Sequence, residues 1–456
     1  MDNNNNNEID NILNELKKKN SSQDDDKTET FNLFDEKPNR QSDNNIEKED
    51  TQHNNFSLIN DSFSKDIKID ADDREINRNM KKSGKKQPMD KKKKGIIIGA
   101  AVLVVIIIAA VIFAVANSNK EPETTAPLST TQAPATQAPV VIANPLTGES
   151  GYSESAVGKR PVAIVVENAS AARPQWGIAD SDNPPDIILE GEVEGGETRM
   201  LWFYADYNSV PSQVGPVRSA RPPFIRFSTL FDSIFIHWGM STSKGNYVGA
   251  DSVFTSEDVD HINQMAYSDK VGLFGRDSSR GVSSEHTGVL YGDKVADAIA
   301  GKEFRTDVDN DSFTAFSFNE KDEKVGETAC NSVAVTFSSR SRTRDWTYST
   351  SDNKYHSNDY ETDVARKNIL VLYDTTEYIV KSNYKGSGSN EVYCDYKLAG
   401  GNGKLASMGT VCDITWSVED GKLSVKDASG NDVSINAGTT WIGWASSNNG
   451  GSVTTA

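Results

Sequence analysis

The chain has 456 residues, with 66 acidic and 48 basic side chains and a formal net charge of −18. This charge excludes a typical nucleic-acid-binding protein, which needs a basic surface to displace the counterions of the phosphate backbone. Three cysteines exclude a disulfide-dense scaffold, and the lack of a Cys-x-x-Cys pair excludes a zinc ribbon.

The first part of the chain predicts a cytoplasmic tail and one membrane-spanning helix. Residues 1–94 are rich in Asn, Asp, Lys and Ser and sustain no hydrophobic period, which is typical of a disordered segment. Residues 95–116 are 22 consecutive apolar or small residues without a charge, enough for a helix to cross the hydrocarbon core. Eight lysines between Lys81 and Lys94 precede it, so the positive-inside rule places the N-terminus in the cytoplasm and the C-terminal part outside. Residues 117–143, rich in Thr, Pro and Ala, predict an extended extracellular spacer.

The segment after the spacer predicts an α+β ectodomain of two domains. The first, residues 144–306, combines buried strands, such as the β-branched run Val162–Val166, with one helix-like segment. A polar linker at 307–325 separates it from residues 326–450, where strand-like segments alternate with turn signals. We therefore expect a mixed α/β layered first domain and a mostly antiparallel β second domain.

A β-hairpin is predicted around Gly195-Gly196. Apolar and acidic residues alternate from Ile187 to Glu194, and a strand-like run from Glu197 to Tyr204 follows the two glycines. A two-residue glycine turn between strands is a strong hairpin signal. In the register that this turn implies, one face carries carboxylates around one arginine, and the pairs are Glu194 with Glu197, Glu192 with Arg199, and Glu190 with Leu201.

The three cysteines allow two interpretations. Cys394 and Cys412 lie in neighbouring strand candidates, and outside the membrane they could form a disulfide that leaves Cys330 unpaired. Three buried thiols are the equally weighted alternative.

Three aspartates at alternate positions, Asp307, Asp309 and Asp311, resemble the beginning of a calcium-binding loop. The sixth position is Ser312 rather than Gly and the twelfth is Phe318 rather than Glu, so an EF-hand is excluded. A weaker calcium site stays open as an alternative, but we predict neither a metal site nor a cofactor.

The densest group of residues that could bind a ligand lies between Pro211 and Phe224. Arg218, Ser219 and Arg221 stand there among Gly and Pro turn residues, and arginine forks bind carboxylates or phosphates bidentately. The structural alternative is that the two arginines pair with the hairpin carboxylates and only stabilise the hairpin. If the network lines a cleft instead, the predicted ligand-binding residues are Arg218, Ser219, Arg221, Arg199, Glu190, Glu192 and Glu194.

A second candidate group contains Arg276, Arg280, Glu285, His286 and Thr287, of which we add Arg276 and His286 to the predicted ligand-binding residues. His286 could act as a general acid or base if a carboxylate oriented its imidazole, but a hydrogen-bonded structural histidine is the commoner case. The chain has no G-x-S-x-G elbow, H-E-x-x-H pair, P-loop or G-x-G-x-x-G fingerprint, so no catalytic residue is predicted.

Several motifs between residues 144 and 450 resemble the YerB-like family, surface proteins of Gram-positive bacteria that are built from a paired domain of unknown function. The resemblance implies envelope localisation, a mixed α/β first domain and a mostly β second domain, but no settled activity. The motifs are NPLTGE at 144–149, RPVAIVVEN at 160–168, EGEVEGGETRM at 190–200, SQVGPVRSARP at 212–222, FIHWG at 235–239, WTY at 346–348 and GTTWI at 438–442.

Two features depart from the family pattern. Relatives are commonly lipoproteins with a lipid-modified cysteine, whereas this chain has no Cys near its apolar segment and is predicted to use a transmembrane anchor. The family also tends to carry a His-Asn pair where this chain has His286-Thr287, which weakens a catalytic role for His286.

These observations predict a membrane-anchored envelope protein that is non-catalytic and binds cell-wall material or a wall-synthesis enzyme. The rival is a wall-glycan hydrolase or lyase, which needs two carboxylates poised across a substrate. Glu190 and Glu192 point the same way from one strand face, which favours a charged surface over such a pair. A third possibility is a transmembrane signalling adaptor whose polybasic tail responds to ectodomain binding. The oligomeric state is left open.

Overall fold

The structure is a computed structural model that describes residues 142–383 and 388–456. The predicted tail, membrane-spanning helix and nearly all of the spacer lie outside the described residues, as does any signalling role of the tail. Within the described ranges, no helix has the length and apolar character needed to cross a membrane.

The described residues form 22 strands and three α-helices, which we number in chain order. The strands are β1 (Val162–Glu167), β2 (Ile187–Glu192), β3 (Thr198–Tyr204), β4 (Ile234–His237), β5 (His261–Asn263), β6 (Phe274–Arg276), β7 (Gly288–Leu290), β8 (Ser317–Phe318), β9 (Thr328–Ala329), β10 (Ser332–Thr336), β11 (Thr343–Ser349), β12 (Lys354–Ser357), β13 (Val364–Arg366), β14 (Asn368–Asp374), β15 (Thr376–Lys381), β16 (Glu391–Tyr396), β17 (Gly401–Ser407), β18 (Thr410–Glu419), β19 (Lys422–Asp427), β20 (Ser434–Ile435), β21 (Thr440–Ser446) and β22 (Ser452–Thr455). The helices are α1 (Pro222–Thr229), α2 (Ala250–Ser256) and α3 (Val295–Ala300).

The central feature of the fold is one sheet of eleven strands that both halves of the chain share. Its order is β19-β18-β17-β14-β21-β2-β3-β1-β4-β5, and β9 also pairs with β18. Strand β21, near the C-terminus, lies parallel to both β2 and β14, and so connects strands of the first and second halves. The predicted linker at 307–325 therefore does not separate two sheets, because strands after it return to the same sheet.

Three layers enclose two apolar cores. A five-stranded sheet, β13-β12-β11-β10-β22, and α3 cover one face of the large sheet. Helices α1 and α2 and the β15–β16 pair cover the other face. In β1, Val162, Ile164 and Val166 belong to the first core, while Ala163 and Val165 belong to the second. A strand that is covered on both faces needs such a continuous apolar run.

The α+β expectation holds in its coarse form. All three helices of the described residues precede residue 301, and the chain after that point is built from strands. Strand pairs within the second half are antiparallel, as expected, except for the short parallel pair β8–β20 and, in the large sheet, the parallel pair β14–β21. The parallel pairing arises because β21 is inserted between β2 and β14 in the shared sheet.

The register predicted for the β2–β3 hairpin is wrong by one residue. Glu190 pairs with Met200, and Glu192 pairs with Thr198. The backbone N–H of Val193 donates to the carbonyl of Glu197 at 2.9 Å, so the loop contains three residues rather than the two glycines alone. Because the loop begins one residue earlier than predicted, the cross-strand partners of the acidic residues also change.

All three cysteines are free thiols, so the disulfide proposed for Cys394 and Cys412 is not formed in this structure. Cys330 and Cys394 are buried, and Cys412 is half-buried, as the thiol alternative expects. For the aspartates at 307–311, the described residues contain no group of three or more acidic, His or Cys side chains placed to hold a metal ion. Asp307 instead forms an ion pair with Lys159.

Candidate functional site

Five of the predicted ligand-binding residues come together around the turn that follows β2. Arg199 extends from β3, Glu194 lies in the turn, and the segment from Arg218 to Arg221 runs beside β1 and leads into α1. The N–H of Arg218 donates to the carbonyl of Val165 in β1 at 3.0 Å, which fixes this segment along the sheet. We name Arg199, Arg218, Ser219, Arg221 and Glu194 the arginine cluster.

Arg221 and Glu194 form the strongest ion pair of the arginine cluster. The Nε of Arg221 donates to Oε2 of Glu194 at 2.9 Å, and its Nη2 donates to Oε1 in a second, shorter bond. Burial disfavours the charged carboxylate, but Arg221 and Arg199 overcome this effect and lower the pKa of Glu194 to about 2. A bidentate pair of this kind fixes both side chains in one geometry. The pair matches the structural alternative for Arg221, whose role is to hold the turn.

Arg199 is less completely paired than its neighbours. Its Nη1 donates to the carbonyl of Ser219 at 2.9 Å, but its Nη2 lies 3.6 Å from Glu194, beyond a normal hydrogen bond. Its Nε has no hydrogen-bond partner among the described residues, although the residue is only 7% exposed. Burial, and then the charge of Arg221, lower the pKa of Arg199 to about 10. The guanidinium is therefore a buried cation that is only partly neutralised.

Arg218 connects the arginine cluster to His286. Its Nε donates to Oε1 of Glu167 at 2.9 Å, and its Nη2 donates to Oε2 of Glu285, also at 2.9 Å. The other oxygen of Glu167, Oε2, lies 2.9 Å from Nδ1 of His286. A buried carboxylate thus orients this imidazole, which was the condition for His286 to act as a general acid or base. In the described part of the chain, no hydroxyl or thiol hydrogen-bonds to His286.

Arg276 lies at the edge of this region and supports the loop that carries His286. Its guanidinium stacks on Trp238 at 4.5 Å from the ring centroid. Its Nη1 also donates to the carbonyl of Ser284 and to the hydroxyl of Thr287, which ties the guanidinium to the loop. We assign it a supporting position beside the arginine cluster.

Glu190 does not belong to the arginine cluster, contrary to the sequence prediction. It is fully buried, and its Oε1 accepts from Nη2 of Arg344 in β11 at 2.8 Å. The hydroxyl of Tyr360 donates to its Oε2 at 2.7 Å, and Asn168 and Thr198 donate to Oε1. Glu190 therefore joins the large sheet to the five-stranded sheet, away from solvent.

Glu192 is also buried, with 1% of its surface exposed. The hydroxyl of Tyr378 donates to its Oε2 at 2.8 Å, and its backbone N–H is hydrogen-bonded to the hydroxyl of Tyr396 at 3.0 Å. Arg344, Tyr360, Tyr378 and Tyr396, which contact Glu190 or Glu192, lie in the second half of the chain, and the local pattern could not place them beside β2.

The sequence alone did not identify two residues that contact the arginine cluster, Glu167 and Tyr393. Glu167 ends the buried run of β1, and an acidic residue closing an apolar strand is a signal that could have been used. Tyr393 lies under Arg221, whose guanidinium is 5.4 Å from the ring centroid. Tyr393 also stacks on Tyr247 with ring centroids 4.1 Å apart.

A pocket adjoins the arginine cluster at Arg221. It has a volume of about 280 Å³ and is bounded by α1, by the loop carrying Tyr247 and by the β15–β16 pair. Pro222, Tyr247 and Tyr393 give it an apolar wall, while Arg226 and Asp395 give it a charged rim. Small-molecule sites combine such apolar walls with a few polar groups.

Comparison with known proteins gives these residues a family context. The family described as protein of unknown function (DUF3048) matches twice, its N-terminal domain at residues 146–305 and its C-terminal domain at residues 331–442. YerB of Bacillus subtilis (strain 168), which is named as a candidate lipoprotein, is 29% identical over 309 residues, covering 65% of this chain and 84% of YerB. The crystal structure of the YerB protein from Bacillus subtilis matches with a TM-score of 0.55 and 25% identity, over 69% of this chain and 100% of that chain. These matches confirm the resemblance that the motifs indicated.

Proposed function

The chain belongs to the DUF3048 family, and from this premise we propose that it is a cell-envelope protein whose arginine cluster is a non-catalytic binding surface. The favoured ligand is anionic cell-wall material, and a wall-synthesis enzyme is the alternative partner. Because the whole chain carries a net charge of −18, long-range attraction does not draw an anion to it. The ligand must instead be recognised locally, by arginines whose charge is not fully neutralised.

The observation that carries this proposal is the incomplete pairing of Arg199. Its Nε has no hydrogen-bond partner within the part of the chain that the structure describes, and the carboxylate of Glu194 is already engaged bidentately by Arg221. A buried cation of this kind gains from an additional anion, because an unpaired charge in a low-dielectric site is costly. Arg218 is 25% exposed at its side chain and can contact the same anion from the solvent side.

The test is retention of the full-length protein on purified cell-wall sacculi. We expect Arg218→Gln to weaken retention several-fold, because it removes the most accessible guanidinium of the cluster. Arg305→Gln is the matched control, since Arg305 is also a partly exposed arginine in an ion pair, with Asp232, but lies outside the cluster. Equal retention of both variants and the parent protein would contradict the proposal. Retention of a wall-synthesis enzyme instead of sacculi would identify the alternative partner.

The proposal includes a single-pass anchor over residues 95–116, with the N-terminus in the cytoplasm. The apolar length of this segment and the lysines before it support that topology. The candidate-lipoprotein name of the Bacillus relative supports a position at the envelope. Protease added to intact cells should remove the C-terminal part and spare an epitope tag on the N-terminal tail. Protection of both ends would contradict the topology.

A second candidate function is hydrolysis of wall material with His286 as the general base. The contact between Glu167 and His286 favours it, because it orients the imidazole as such a base requires. The absence of a hydrogen-bonded nucleophile in the described residues counts against it. Mass spectrometry of muropeptides after incubation with the protein separates the two functions. New products that disappear with His286→Gln would support hydrolysis and overturn the non-catalytic proposal.

A further inference from the structure

A second pocket lies at the opposite end of β2 from the arginine cluster. It has a volume of about 320 Å³, and Asp186, directly before β2, stands in its wall. The turn made by the NPLTGE motif at 144–149 forms one side, and Asp182 and Asp206 lie on two others. We name it the acidic pocket.

The NPLTGE turn is hydrogen-bonded to residues at one end of the large sheet. The N–H of Gly148 donates to the carbonyl of Asn144 at 2.7 Å, and the N–H of Gly438 donates to the carbonyl of Thr147 at 2.7 Å. The side-chain amide of Asn144 donates to Oδ1 of Asp186 at 2.9 Å. The motif therefore positions the Asp186 carboxyl group of the acidic pocket.

The charged side chains that line the acidic pocket are all acidic among the described residues. Glu149, Asp182, Asp186 and Asp206 line it, and no Lys, Arg or His is among the described residues that line it. None of these four carboxylates forms an ion pair within residues 142–383 and 388–456. Burial raises the pKa of Asp186 to about 7, and the hydrogen bonds from Ala205 and Asn144 offset only part of this effect. Four carboxyl groups without a basic neighbour among the described lining residues favour a cationic ligand, which would also favour the ionised form of Asp186.

Tyr204 is a second and independent indication of a ligand. It lines the same pocket and is only 2% exposed, yet its hydroxyl has no hydrogen-bond partner among the described residues. Burial, and then the charge of Asp186, raise the pKa of Tyr204. Buried hydroxyls are nearly always hydrogen-bonded, so an unpaired one beside a pocket indicates a missing partner.

The lining excludes a simple metal site and indicates an organic cation. The described residues contain no group of acidic, His or Cys side chains placed to coordinate one ion, so the carboxylates surround a space rather than a point. The volume is at the lower end of the range for small-molecule sites. Hydroxyl and amide groups of Ser150, Asn183 and Ser209 complete a polar lining that suits a polar ligand.

We propose that the acidic pocket binds a primary ammonium group on a polyhydroxylated scaffold, the chemistry of an unacetylated amino sugar. The ammonium group lies among Asp186, Asp206 and Glu149, and ligand hydroxyls pair with Tyr204 and with the polar rim. This site is independent of the arginine cluster, which has the opposite charge preference and lies at the other end of β2.

The test compares glucosamine with glucose, which carries a hydroxyl where glucosamine carries its ammonium group. Isothermal titration of the full-length protein should show that glucosamine binds and that glucose binds at least tenfold more weakly. The double variant Glu149→Gln/Asp182→Asn should weaken glucosamine binding roughly three- to tenfold, because both side chains are exposed and their charges are screened. Glu320→Gln/Glu327→Gln changes the net charge equally at exposed positions outside the pocket and should leave affinity unchanged.

Several results would overturn the proposal. Equal affinity for glucosamine and glucose would show that the ammonium group is not recognised, and absence of glucosamine binding at millimolar concentration would remove the ligand class. Equal losses in the two double variants would show a non-specific charge effect. A short glucosamine oligomer in a parallel titration distinguishes a free amino sugar from one in a polymer, since tighter binding of either form supports the pocket and identifies the source.

Discussion

The Oε2 atom of Glu167 lies 2.9 Å from Nδ1 of His286, although 119 positions separate the two residues in the chain. The Oε1 atom of the same carboxylate accepts a hydrogen bond from Nε of Arg218 at 2.9 Å. Glu167 ends β1 and is 4% exposed, so it is part of the rigid sheet. One buried carboxylate therefore fixes both a guanidinium of the arginine cluster and the loop that carries His286.

Substitution of Glu167 tests this double role. We expect Glu167→Gln to lower the free energy of unfolding by about 2–4 kcal/mol, because it leaves Arg218 without its buried partner and weakens the contact with His286. Urea unfolding followed by circular dichroism measures the change.

The matched control is Glu285→Gln, which removes the other carboxylate bound to Arg218. The side chain of Glu285 is 58% exposed, so its pair with Arg218 should contribute less than about 1 kcal/mol. If the two variants unfold at the same urea concentration, Glu167 does not have the structural role that we assign to it.

A second prediction concerns the buried pair of Glu190 and Arg344, which connects the two sheets. Removal of one member of a buried ion pair leaves an uncompensated charge, so Glu190→Gln should cost about 3–5 kcal/mol of the free energy of unfolding. Because strands from both halves share one sheet, the variant should still unfold in one cooperative transition. Urea unfolding monitored by tryptophan fluorescence and by circular dichroism tests both statements.

Asp413→Asn serves as the control for this pair, since Asp413 and Lys404 form an exposed surface bridge in the large sheet. Surface bridges contribute about 0–1 kcal/mol, so the control should unfold almost as the parent protein does. Two separate transitions in Glu190→Gln would contradict the shared-sheet interpretation, and a loss no larger than that of Asp413→Asn would contradict the buried-pair assignment.

Glu190 also shows which parts of the fold were accessible from the sequence. The alternation from Ile187 to Glu194 indicated the strand correctly, and periodicity is a local property. What covers each face of a strand is non-local, and the partner of Glu190 is Arg344, 154 positions away. Glu190, Glu192 and Glu194 were therefore placed on an open surface, although Glu190 and Glu192 are buried beneath residues of the second half.

The members of the arginine cluster that are close in sequence were easier to predict than the residues that contact it from other strands. Arg218, Ser219 and Arg221 lie close together in sequence, and turn residues around them keep them close in space. Glu167 and Tyr393 join them only through tertiary contacts, to Arg218 and to Arg221. The acidic pocket was missed for the same reason, because the NPLTGE motif meets Asp186 only when the fold is complete.

A third prediction uses the two glycines of the β2–β3 turn, which have similar backbone angles but different surroundings. Gly195 has φ +70° with nothing within 4 Å of an added Cβ, while Gly196 has φ +84° and an added Cβ would lie 2.4 Å from the carbonyl oxygen of Arg340. Gly195→Ala should cost about 1 kcal/mol through the left-handed backbone alone. Gly196→Ala should cost clearly more, because the backbone of Arg340 must also move.

Thermal unfolding of the two glycine variants measures this difference, and Gly195→Ala is the internal control for backbone strain. Equal losses would mean that the turn moves freely away from Arg340.

The last prediction concerns the pH dependence of stability, which depends on Asp186. Burial raises the pKa of this carboxyl from 3.8 to about 7, so the folded protein binds its proton more tightly than the unfolded chain does. The associated stabilisation is complete below about pH 4 and is lost as pH rises towards about 7.

In Asp186→Asn this contribution does not titrate. Relative to that variant, the parent protein should lose about 3–4 kcal/mol of its free energy of unfolding between about pH 4 and pH 8. Urea unfolding across this range measures the difference, with Asp182→Asn as the exposed control from the same pocket, expected to follow the parent curve. If the curves of the parent protein and Asp186→Asn stay parallel, Asp186 is already ionised at low pH. The carboxyl that the NPLTGE turn holds would then be well solvated, and burial would not raise its pKa as we assign.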